Sequence, residues 1–406
     1  MNHFKLIFAC ATTLLAACTP KPALTIINTS ALNFKDLAVV IPRQQVEEKV
    51  NYELRNQVVL AQLTNHDTLP CQFDDLDADG KWDEMVILLN MNGNEQINVV
   101  ITPIATKALP QFIKCTNYRF GRKNAPYDDV TEDQRLKTND SPTISQIYQM
   151  EGPAWENDRV GFRNYYDARN GIDIFGKKTN RMALDSAGIR NQNYHEMDEW
   201  GMDILKVDKS LGAGAIAIGI GDSLYRVGSC DDGNVKLITE GSIRTIFEFK
   251  FNGVPAGNAK YDVRHQISIY AGDHFYRSKA WIINPTGNEK LVTGIVNKHN
   301  LPLITDETIN YKLFATQGAQ AYTNEILGLG LIVPKSDYQV HHTSPMLGEG
   351  ITETHLVELK AENNAPAEYC FFSGWEYQDD QFKDQNYLIE KMKEAANKLS
   401  ATIIIK

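Results

Sequence analysis

Short segments of alternating apolar and polar residues recur along almost the whole of this 406-residue chain. Alternation with a period of two turns one face of a strand towards a core and the other towards solvent. In the first quarter the pattern occurs at residues 24–27, 37–41, 57–63, 85–89 and 98–104, separated by Asn, Asp and Pro. No convincing helical stripe of two turns interrupts it. The pattern predicts a small β-rich domain over residues 23–110.

Strand patterns return further along and continue nearly to the C-terminus. They lie at residues 213–220, 235–239, 244–251, 261–270, 275–283, 311–316, 328–333, 352–358 and 369–375. Short strands at this frequency, with Gly or Asn at the turns, favour a large antiparallel sandwich. We place this sandwich at residues 141–406, and the polar stretch 111–140 is predicted to connect the two domains.

One helix is predicted, close to the C-terminus. Asp384 is a suitable N-cap. The apolar residues that follow it fall on one helical face: Leu388, Met392, Ala395, Ala396 and Leu399. Residues 401–405 then return as a last strand. The predicted fold class is therefore mainly β, with a small N-terminal β domain, a large antiparallel sandwich and one C-terminal α-helix.

The charge of the chain excludes one class of partner. The 41 Lys and Arg residues are outnumbered by 51 Asp and Glu residues, which gives a formal net charge of -10. A field of this sign repels nucleic acid, so no nucleic-acid partner is expected. An anionic ligand would require a local basic site.

The N-terminus has the pattern of a secretion signal. Lys5 precedes an apolar stretch, residues 6–15, that is too short to span a bilayer, and a small-residue segment ends at Cys18. This resembles a bacterial lipoprotein signal peptide. The resemblance implies removal of residues 1–17, acylation of Cys18 and a tether over residues 18–22. We expect an outer-membrane lipoprotein that faces the periplasm and contacts the membrane only through its lipid. A plain secretory peptide is the alternative.

An acidic segment in the small domain predicts a cation site. Its carboxylates are Asp75, Asp77, Asp79, Asp83 and Glu84, with Gly80 among them. Oxygen ligands at alternate positions around a Gly turn suit calcium, although the full EF-hand pattern is incomplete because position 86 is Val. A shortened structural calcium loop and an acidic turn that binds nothing both remain open.

The spacing of the glycines and of the cysteines bears on two other kinds of site, a nucleotide site and a zinc site. The Gly-rich run 212–221 has no dinucleotide fingerprint, so no nucleotide cofactor is expected. Four cysteines lie beyond the signal, Cys71, Cys115, Cys230 and Cys370, and their spacing does not suit zinc. Disulfides and buried thiols remain open for them.

The densest mixture of aromatic and charged residues lies at residues 151–177. Such a mixture suits an acidic sugar, because guanidinium groups pair with a carboxylate while aromatic rings stack on the pyranose. The candidate substrate-binding residues are Glu151, Trp155, Arg163, Tyr165, Arg169 and Lys177, together with Trp200 from the next segment. A sheet face held by ion pairs is the structural alternative.

A second polar segment, residues 194–203, carries the candidate proton-transfer groups. His195 is the natural choice near neutral pH, and it lies among Tyr194, Glu196 and Asp198. Tyr166 from the first segment completes the set of catalytic candidates. The zinc-protease pattern H-E-x-x-H is absent, because position 199 is Glu.

Several ordered motifs resemble the domain-of-unknown-function family 4861. They are Asp-Leu-Asp-Ala-Asp-Gly at 75–80 with Asp83 and Glu84, Glu-Gly-Pro-Ala-Trp at 151–155 running on to Arg163, Asp-Ile-Phe-Gly-Lys at 173–177, and Tyr-His-Glu at 194–196 running on to Leu205. The resemblance implies a Bacteroidetes lipoprotein encoded near polysaccharide-degradation genes, with no settled reaction. Residues 240–277 are similar to the hairpins of galactose-mutarotase-like supersandwiches, a fold that recurs in aldose epimerases, polysaccharide lyases and some glycosidases.

These features together predict a carbohydrate-active enzyme that cleaves uronic-acid-containing saccharides by β-elimination. Arg163 or Arg169 would neutralise the uronate carboxylate, His195 would remove the C5 proton, and Tyr194 or Tyr166 would protonate the departing oxygen. Two alternatives remain open. One is a glycoside hydrolase with Glu151, Glu196 and Asp198 as candidate acid and base, and the other is a non-catalytic glycan-binding lipoprotein.

Overall fold

Antiparallel strands dominate the computed structural model, which describes residues 22–136 and 147–406. The predicted signal peptide, Cys18 and the tether up to residue 21 lie outside the described residues. Within them, neither α-helix has the length and apolar character needed to cross a bilayer. The prediction of a mainly β chain built from antiparallel sheets is confirmed.

The small domain consists of two sheets and one helix. Its elements are β1 (Ala23–Asn28), β2 (Phe34–Pro42), α1 (Arg43–Val50), β3 (Gln57–Leu63), β4 (Cys71–Asp74), β5 (Glu84–Met91), β6 (Gln96–Ala105) and, from the far end of the chain, β26 (Ile403–Ile405). One sheet has the order β26-β1-β6-β3 and the other β2-β5-β4. Apolar side chains from both sheets form a core of their own.

The helix α1 was not expected from the sequence. Only Val46 and Val50 of its eight residues are buried, so its apolar face is too narrow to produce a recognisable stripe. The structure therefore corrects the prediction of a single helix.

The large domain contains three antiparallel sheets and the second helix. Its elements are β7 (Thr116–Arg119), β8 (Glu132–Leu136), β9 (Ala154–Asn157), β10 (Val160–Asn164), β11 (Ile172–Lys177), β12 (Gly201–Asp203), β13 (Ala217–Ile220), β14 (Ser223–Arg226), β15 (Asp232–Glu240), β16 (Arg244–Ala256), β17 (Ala259–Tyr270), β18 (Phe275–Ile283), β19 (Glu289–Val296), β20 (Ile304–Glu307), β21 (Tyr311–Ala319), β22 (Ile326–Pro334), β23 (Tyr338–Thr343), β24 (Thr354–Lys360), β25 (Ala367–Trp375) and α2 (Gln385–Leu399).

The largest sheet has nine strands in the order β20-β21-β22-β25-β18-β17-β16-β15-β8. Two five-stranded sheets accompany it, with the orders β14-β13-β19-β24-β23 and β12-β11-β10-β9-β7. Phe247 of the first sheet, Leu356 of the second and Phe162 of the third belong to one buried cluster. The three sheets thus share a single apolar core, whose burial is the main stabilising contribution.

The stretch 111–140 was predicted to be a connector, but it contributes β7 and β8 to the large domain. All four residues of β7 are buried, among them Asn117 and Arg119. A strand with polar residues on its buried face does not show the alternation that marks a strand in a sequence.

The helix α2 begins where the sequence predicted. The carboxylate of Asp384 accepts a hydrogen bond of 2.9 Å from the backbone N–H of Asn386. Leu388 and Met392 pack over Gly328 and Gly330 of β22, where a Cβ atom would lie within 2.7 Å of the helix side chains. The two glycines therefore let the helix approach the sheet closely.

Beyond α2 the chain returns to the small domain. There β26 pairs with β1, and Thr25 and Lys406 exchange two backbone hydrogen bonds of 2.9 Å. The first and last strands of the described chain therefore lie side by side.

Arg244 of β16 joins the two domains. Its guanidinium donates hydrogen bonds of 2.6 Å to Asp74 and to Glu84 of the small domain. Burial opposes the charge of Arg244, but Tyr270 and the carboxylates of Asp74 and Glu84 raise its pKa, so the guanidinium remains charged. Elsewhere in the described residues, Cys71, Cys115, Cys230 and Cys370 form no disulfide.

Candidate functional site

A buried arginine occupies the centre of the site. Arg163 of β10 is opposite Asp173 of β11 in the strand register, and it has no exposed surface. Its guanidinium forms an ion pair with Asp173 and lies 3.3 Å from carboxylate oxygens of both Asp203 and Glu151. A buried charge without partners costs several kcal/mol, so these three carboxylates are what allows Arg163 to be buried.

Two tyrosines complete the surroundings of the guanidinium. Arg163 donates hydrogen bonds to the hydroxyl oxygens of Tyr165 (2.9 Å) and Tyr194 (3.2 Å). Tyr165 in turn donates to Asp173 over 2.8 Å. Burial raises the pKa of both tyrosines, so each hydroxyl keeps its proton at neutral pH.

Asp203 of β12 is the most perturbed carboxyl group of this cluster. Its burial and the repulsion from Asp173 raise its pKa, although Arg163 opposes the shift. Two carboxylates that share one buried cation are disfavoured in the doubly ionised state. Asp203 therefore holds a proton to higher pH than an ordinary carboxyl group.

His195 connects the buried cluster to solvent. Its Nδ1 lies 3.4 Å from Oδ2 of Asp203, and half of its side chain is exposed. The ring also packs against Tyr194, with 4.3 Å between the ring centres. Partial burial and the charge of Arg163 lower its pKa, so the imidazole is neutral at neutral pH and able to accept a proton.

A polar cavity of about 620 Å³ opens in front of Tyr194 and His195. Its lining residues are Lys123, Asn124, Tyr127, Gln149, Glu151, Gly188, Arg190, Asn191, Gln192, Asn193, Tyr194 and His195. Lys123 and Arg190 are exposed cations. Glu151 is the single carboxylate among these described lining residues. The volume and the polarity suit a small, hydrophilic ligand.

The backbone around the cavity is unusually strained. Tyr127, Glu151, Arg190 and Asn191 all have left-handed conformations, with φ between 50° and 68°. Side chains other than glycine adopt such angles at an energetic cost, and residues of this kind concentrate at functional sites. The strain therefore favours a function for this cavity.

One buried pair of side chains fixes two walls of the cavity. Arg119 donates to Oε1 of Gln149 (2.7 Å) and to the backbone oxygen of Tyr127 (3.1 Å). Gln149 donates to the backbone oxygen of Leu184 over 2.9 Å. The loop after β7 and the loop after β11 are thus held to the same two residues.

Six of the predicted site residues come together here. They are Glu151, Arg163, Tyr165, Arg169, Tyr194 and His195. Arg169 is partly exposed, pairs with Asp167 over 2.5 Å and lies 3.4 Å from Glu151. Its guanidinium carbon lies 3.9 Å from the ring centre of Tyr165. The two polar segments of the sequence, 151–177 and 194–203, therefore converge on one cluster.

Trp155 and Lys177 were predicted to contact substrate, but the structure places both in the interior. Trp155 has no exposed surface and stacks on Phe162, with 5.8 Å between ring centres. Lys177 donates hydrogen bonds to Glu156 (2.5 Å) and to the backbone oxygen of Asn157 (2.6 Å). No ring face and no unpaired charge remain for a sugar at these positions.

Tyr166 and Trp200 are also buried away from the cavity. The hydroxyl of Tyr166 donates to the backbone oxygen of Asp133 over 3.0 Å, and Trp200, 8% exposed, packs against Phe175. These contacts assign Tyr166 to the core rather than to proton transfer, and Trp200 to packing rather than to sugar stacking.

Glu196 and Asp198 are exposed, and their carboxylates form hydrogen bonds within local turns. Glu196 accepts a hydrogen bond of 2.8 Å from Asn193, and Asp198 accepts one of 3.2 Å from Gln192. Neither carboxylate lines the cavity. Their position beside His195 in the sequence does not place them beside it in the site.

Five residues of the candidate site were not singled out from the sequence. They are Lys123, Gln149, Asp173, Arg190 and Asp203. One signal was available for Asp173, because a hairpin register of 160–164 against 172–176 puts it opposite Arg163. The loop residues carried no such signal.

The acidic segment of the small domain forms a compact loop. Carboxylate oxygens of Asp75, Asp77 and Asp83 lie within 4.8 Å of one another, which is a donor set that suits a hard cation. Asp79 accepts a hydrogen bond of 2.8 Å from the backbone N–H of Lys81. Glu84 is not part of this group, because its carboxylate is bound to Arg244. Calcium binding by this loop stays a prediction.

The fold and the site together define a class: a two-domain antiparallel β protein with a polar cavity placed over a buried arginine–carboxylate cluster. The chain belongs to the family described as Domain of unknown function (DUF4861), whose model matches residues 26–405. The family resemblance drawn from the motifs is therefore confirmed.

Comparisons with individual proteins give more distant similarities. Uncharacterized protein P7 of Formosa agariphila is 26% identical over 242 residues, which cover 54% of this chain and 58% of that protein. An alpha-mannosidase from Enterococcus faecalis matches with a TM-score of 0.46 and 8% identity, over 96% of this chain and 46% of its own. A protein in glycosyl hydrolase family 38 from the same species gives a TM-score of 0.46 and 8% identity, over 95% and 47%. The chain thus spans about half the length of these solved chains.

Proposed function

We propose that this protein is a carbohydrate-active enzyme that cleaves uronic-acid-containing saccharides by β-elimination. One observation carries the proposal. A neutral His195 lies beside Tyr194 at the wall of a polar cavity, and its Nδ1 faces Asp203. A neutral imidazole and a protonated phenol are the base and the acid that the reaction requires.

His195 serves as the base. With its proton on Nδ1, facing Asp203, the ring presents the lone pair of Nε2 to the substrate. The proton at C5 of the uronate moves to this nitrogen, and the C4–O bond then breaks as the C4–C5 double bond forms. Asp203 acts as a positioning residue that selects the tautomer.

Tyr194 serves as the acid. The departing glycosidic oxygen takes the electron pair of the broken bond and receives the phenolic proton. Arg163 lies 3.2 Å from this hydroxyl and its charge lowers the pKa of Tyr194 against the effect of burial. The guanidinium therefore stabilises the phenolate that proton transfer leaves behind.

The uronate carboxylate needs a cation that faces the cavity. Arg163 is already surrounded by Glu151, Asp173 and Asp203, so it does not suit this task. Lys123 and Arg190 line the cavity and are exposed. We assign neutralisation of the substrate carboxylate to these two residues, in place of the arginines that the sequence suggested.

A glycoside hydrolase on the same substrates is less well supported. Most such enzymes place two carboxyl groups on either side of the scissile bond. Among the described lining residues the cavity has one, Glu151, while Glu196 and Asp198 lie elsewhere. A non-catalytic glycan-binding role shares the same cavity, and turnover distinguishes it.

We also propose the cellular setting that the sequence indicates. A lipid on Cys18 would hold the protein at the outer membrane, facing the periplasm.

The test is an assay of β-elimination on fragments of pectate, alginate and glycosaminoglycans. The unsaturated product absorbs at about 235 nm, and loss of a positioned general base lowers the rate by about 100-fold or more. We expect wild-type protein and the control His299→Ala, at an exposed site outside the cavity, to form this product. His195→Ala and Tyr194→Phe should lose it while still binding the substrate.

Three outcomes oppose the proposal. New reducing ends without the absorbance would indicate a hydrolase, and binding without any product would indicate a glycan-binding protein. Full activity of His195→Ala would remove the base from the mechanism.

A further inference from the structure

We propose that a second cleft, at the junction of the two domains, is a non-catalytic binding site for an acidic oligosaccharide. This junction cleft has a volume of about 710 Å³. It is defined by Asn33, Lys35, Asn90, Arg159, His274 and Lys391, and it shares no lining residue with the cavity of His195. The inference goes beyond the proposed function and rests on it only for the choice of acidic sugars.

Cations from separate elements meet in the junction cleft. Lys35 comes from β2, Arg159 from the turn between β9 and β10, and Lys391 from α2. Lys398 of the same helix lies beside them and pairs with Asp273 over 2.8 Å. Four cations face three carboxylates there, Asp36, Asp273 and Glu394. Arg159, Lys391 and Lys398 each pair with a carboxylate, so Lys35 is the cation left to receive an anion.

Lys35 is the cation best placed to meet a ligand. Arg159 lies 3.3 Å from Asp158, and Lys391 lies 2.7 Å from Glu394. Lys35, in contrast, is exposed and has no side-chain hydrogen bond or ion pair in the described part of the chain. A sugar carboxylate or sulfate would supply the missing partner.

Side-chain amides supply the second element of recognition. The side-chain oxygens of Asn33 and Asn90 accept hydrogen bonds of 2.8 Å from the backbone N–H groups of Gly93 and Asp36. Each therefore has its NH₂ group available as a donor. Asn92 and Asn397 add two further amides to the lining. Fixed amide donors suit the hydroxyl groups of a saccharide.

His274 lies at one side of the cleft. Its ring packs on Phe372 and Phe382, with 5.7 and 5.2 Å between ring centres. Burial and the nearby charge of Arg159 lower its pKa to about 4, so the imidazole is neutral at neutral pH. The neutral ring is held by these aromatic residues and closes one side of the cleft.

A bulge in β2 directs residues into the cleft. The register between β2 and β5 is irregular between Phe34 and Leu37, so Lys35 and Asp36 lie outside the regular pairing. Asp36 has a left-handed backbone with φ of 50°. A Cβ atom on the neighbouring Gly272 would lie 2.8 Å from that of Asp36. Bulges and strained residues of this kind redirect side chains at binding sites.

The first experiment locates the bound saccharide. Hydrogen exchange of the full mature protein is measured with and without decamers of oligogalacturonate, oligoalginate and hyaluronan. We expect at least one of these probes to protect residues 32–36 and 387–398, in addition to segments around His195. No protection of those two segments by any probe would overturn the proposal.

The second experiment separates the cleft from the cavity. In calorimetry with the protecting probe, the double variant Lys35→Ala/Lys391→Ala should bind about tenfold more weakly. The control Lys236→Ala/Lys260→Ala, at exposed positions on β15 and β17, should bind as the wild type does. Equal affinity of the cleft variant and the control would overturn the inference.

The two proposals fail independently. The cleft and the cavity share no lining residue, so a disaccharide that fills only the cavity should be cleaved at the same rate by the cleft variant and by the wild type. If no cleavage product forms but the cleft is still protected, the lyase assignment fails and the binding site stands.

Discussion

The guanidinium of Arg163 and the carboxylate of Asp173 meet inside the large domain, directly across the pairing of β10 with β11, and neither side chain has more than 1% of its surface exposed. Each of these groups would be costly to bury alone. The stability of the fold therefore depends on this ion pair, which is part of the cluster beneath the cavity.

Removal of Arg163 should destabilise the protein strongly. In Arg163→Met, the carboxylates of Asp173 and Asp203 lose the cation that compensates them, and breaking a buried pair in this way costs about 3–5 kcal/mol. Unfolding in urea at pH 7 measures the loss. As a control, Lys236→Ala breaks an exposed pair with Glu132 and should change the free energy of unfolding by less than about 0.5 kcal/mol. A loss below about 1 kcal/mol in Arg163→Met would contradict this view of the cluster.

The imidazole of His195 should titrate below the usual histidine range. Partial burial and Arg163 both oppose its protonation. We therefore expect its pKa, measured by NMR of the ring protons, to lie below 6.5. The cleavage rate should fall on the acid side as the pH drops through that same value, because protonation removes the base. A pKa of 6.5 or above, or an acid limb that survives in His195→Gln, would be inconsistent with the assigned role.

His265 should make the stability of the fold depend on pH. Burial lowers its pKa to about 3, from 6.5, so the folded chain keeps the ring neutral where the unfolded chain binds a proton. The free energy of unfolding should therefore fall as the pH drops below 6.5, by about 1.4 kcal/mol per pH unit from this residue. His265→Gln, which can still bond Ser278, should lack this part of the slope. Parallel slopes for the variant and the wild type between pH 4 and 6 would refute the explanation.

Calcium should stabilise the small domain if the acidic loop binds it. We expect millimolar calcium to raise the melting temperature of the wild type, and EDTA to reverse the rise. Asp77→Asn should lose the response, because it weakens a set of three clustered carboxylates. Glu84→Gln is the matched control: it weakens the bond to Arg244 and lowers the melting temperature, yet it should keep the response to calcium. A wild type that melts identically in calcium and EDTA would leave the loop as an acidic turn.

Much of the fold was predictable from local patterns. The alternation in residues 261–270 and 275–283 predicted two successive strands, and the structure has β17 and β18 there, paired antiparallel. The start of α2 at Asp384 was predictable because N-capping is an interaction between residues that are close in the sequence. Residues 111–140 were misjudged, since Asn117 and Arg119 are buried by partners that lie far away in the sequence.

The candidate site was predictable only in part, for a related reason. The sequence identified Arg163, Tyr194 and His195 through their polar neighbourhoods, and the fold brings them together. It also suggested Lys177 as a ligand-binding cation, because nothing local reveals that Glu156 neutralises it inside the core. Whether a charge is available depends on three-dimensional pairing, which a linear pattern does not contain.

The pairing of β26 with β1 has a consequence for the order of folding during synthesis. The sheet of the small domain has three strands from residues 23–105 and its fourth from residues 403–405. These last residues leave the ribosome after every other strand described here. Until residues 403–405 are present, one edge of β1 is uncovered, so the sheet of the small domain reaches its four-stranded form only after the rest of the described chain has been made.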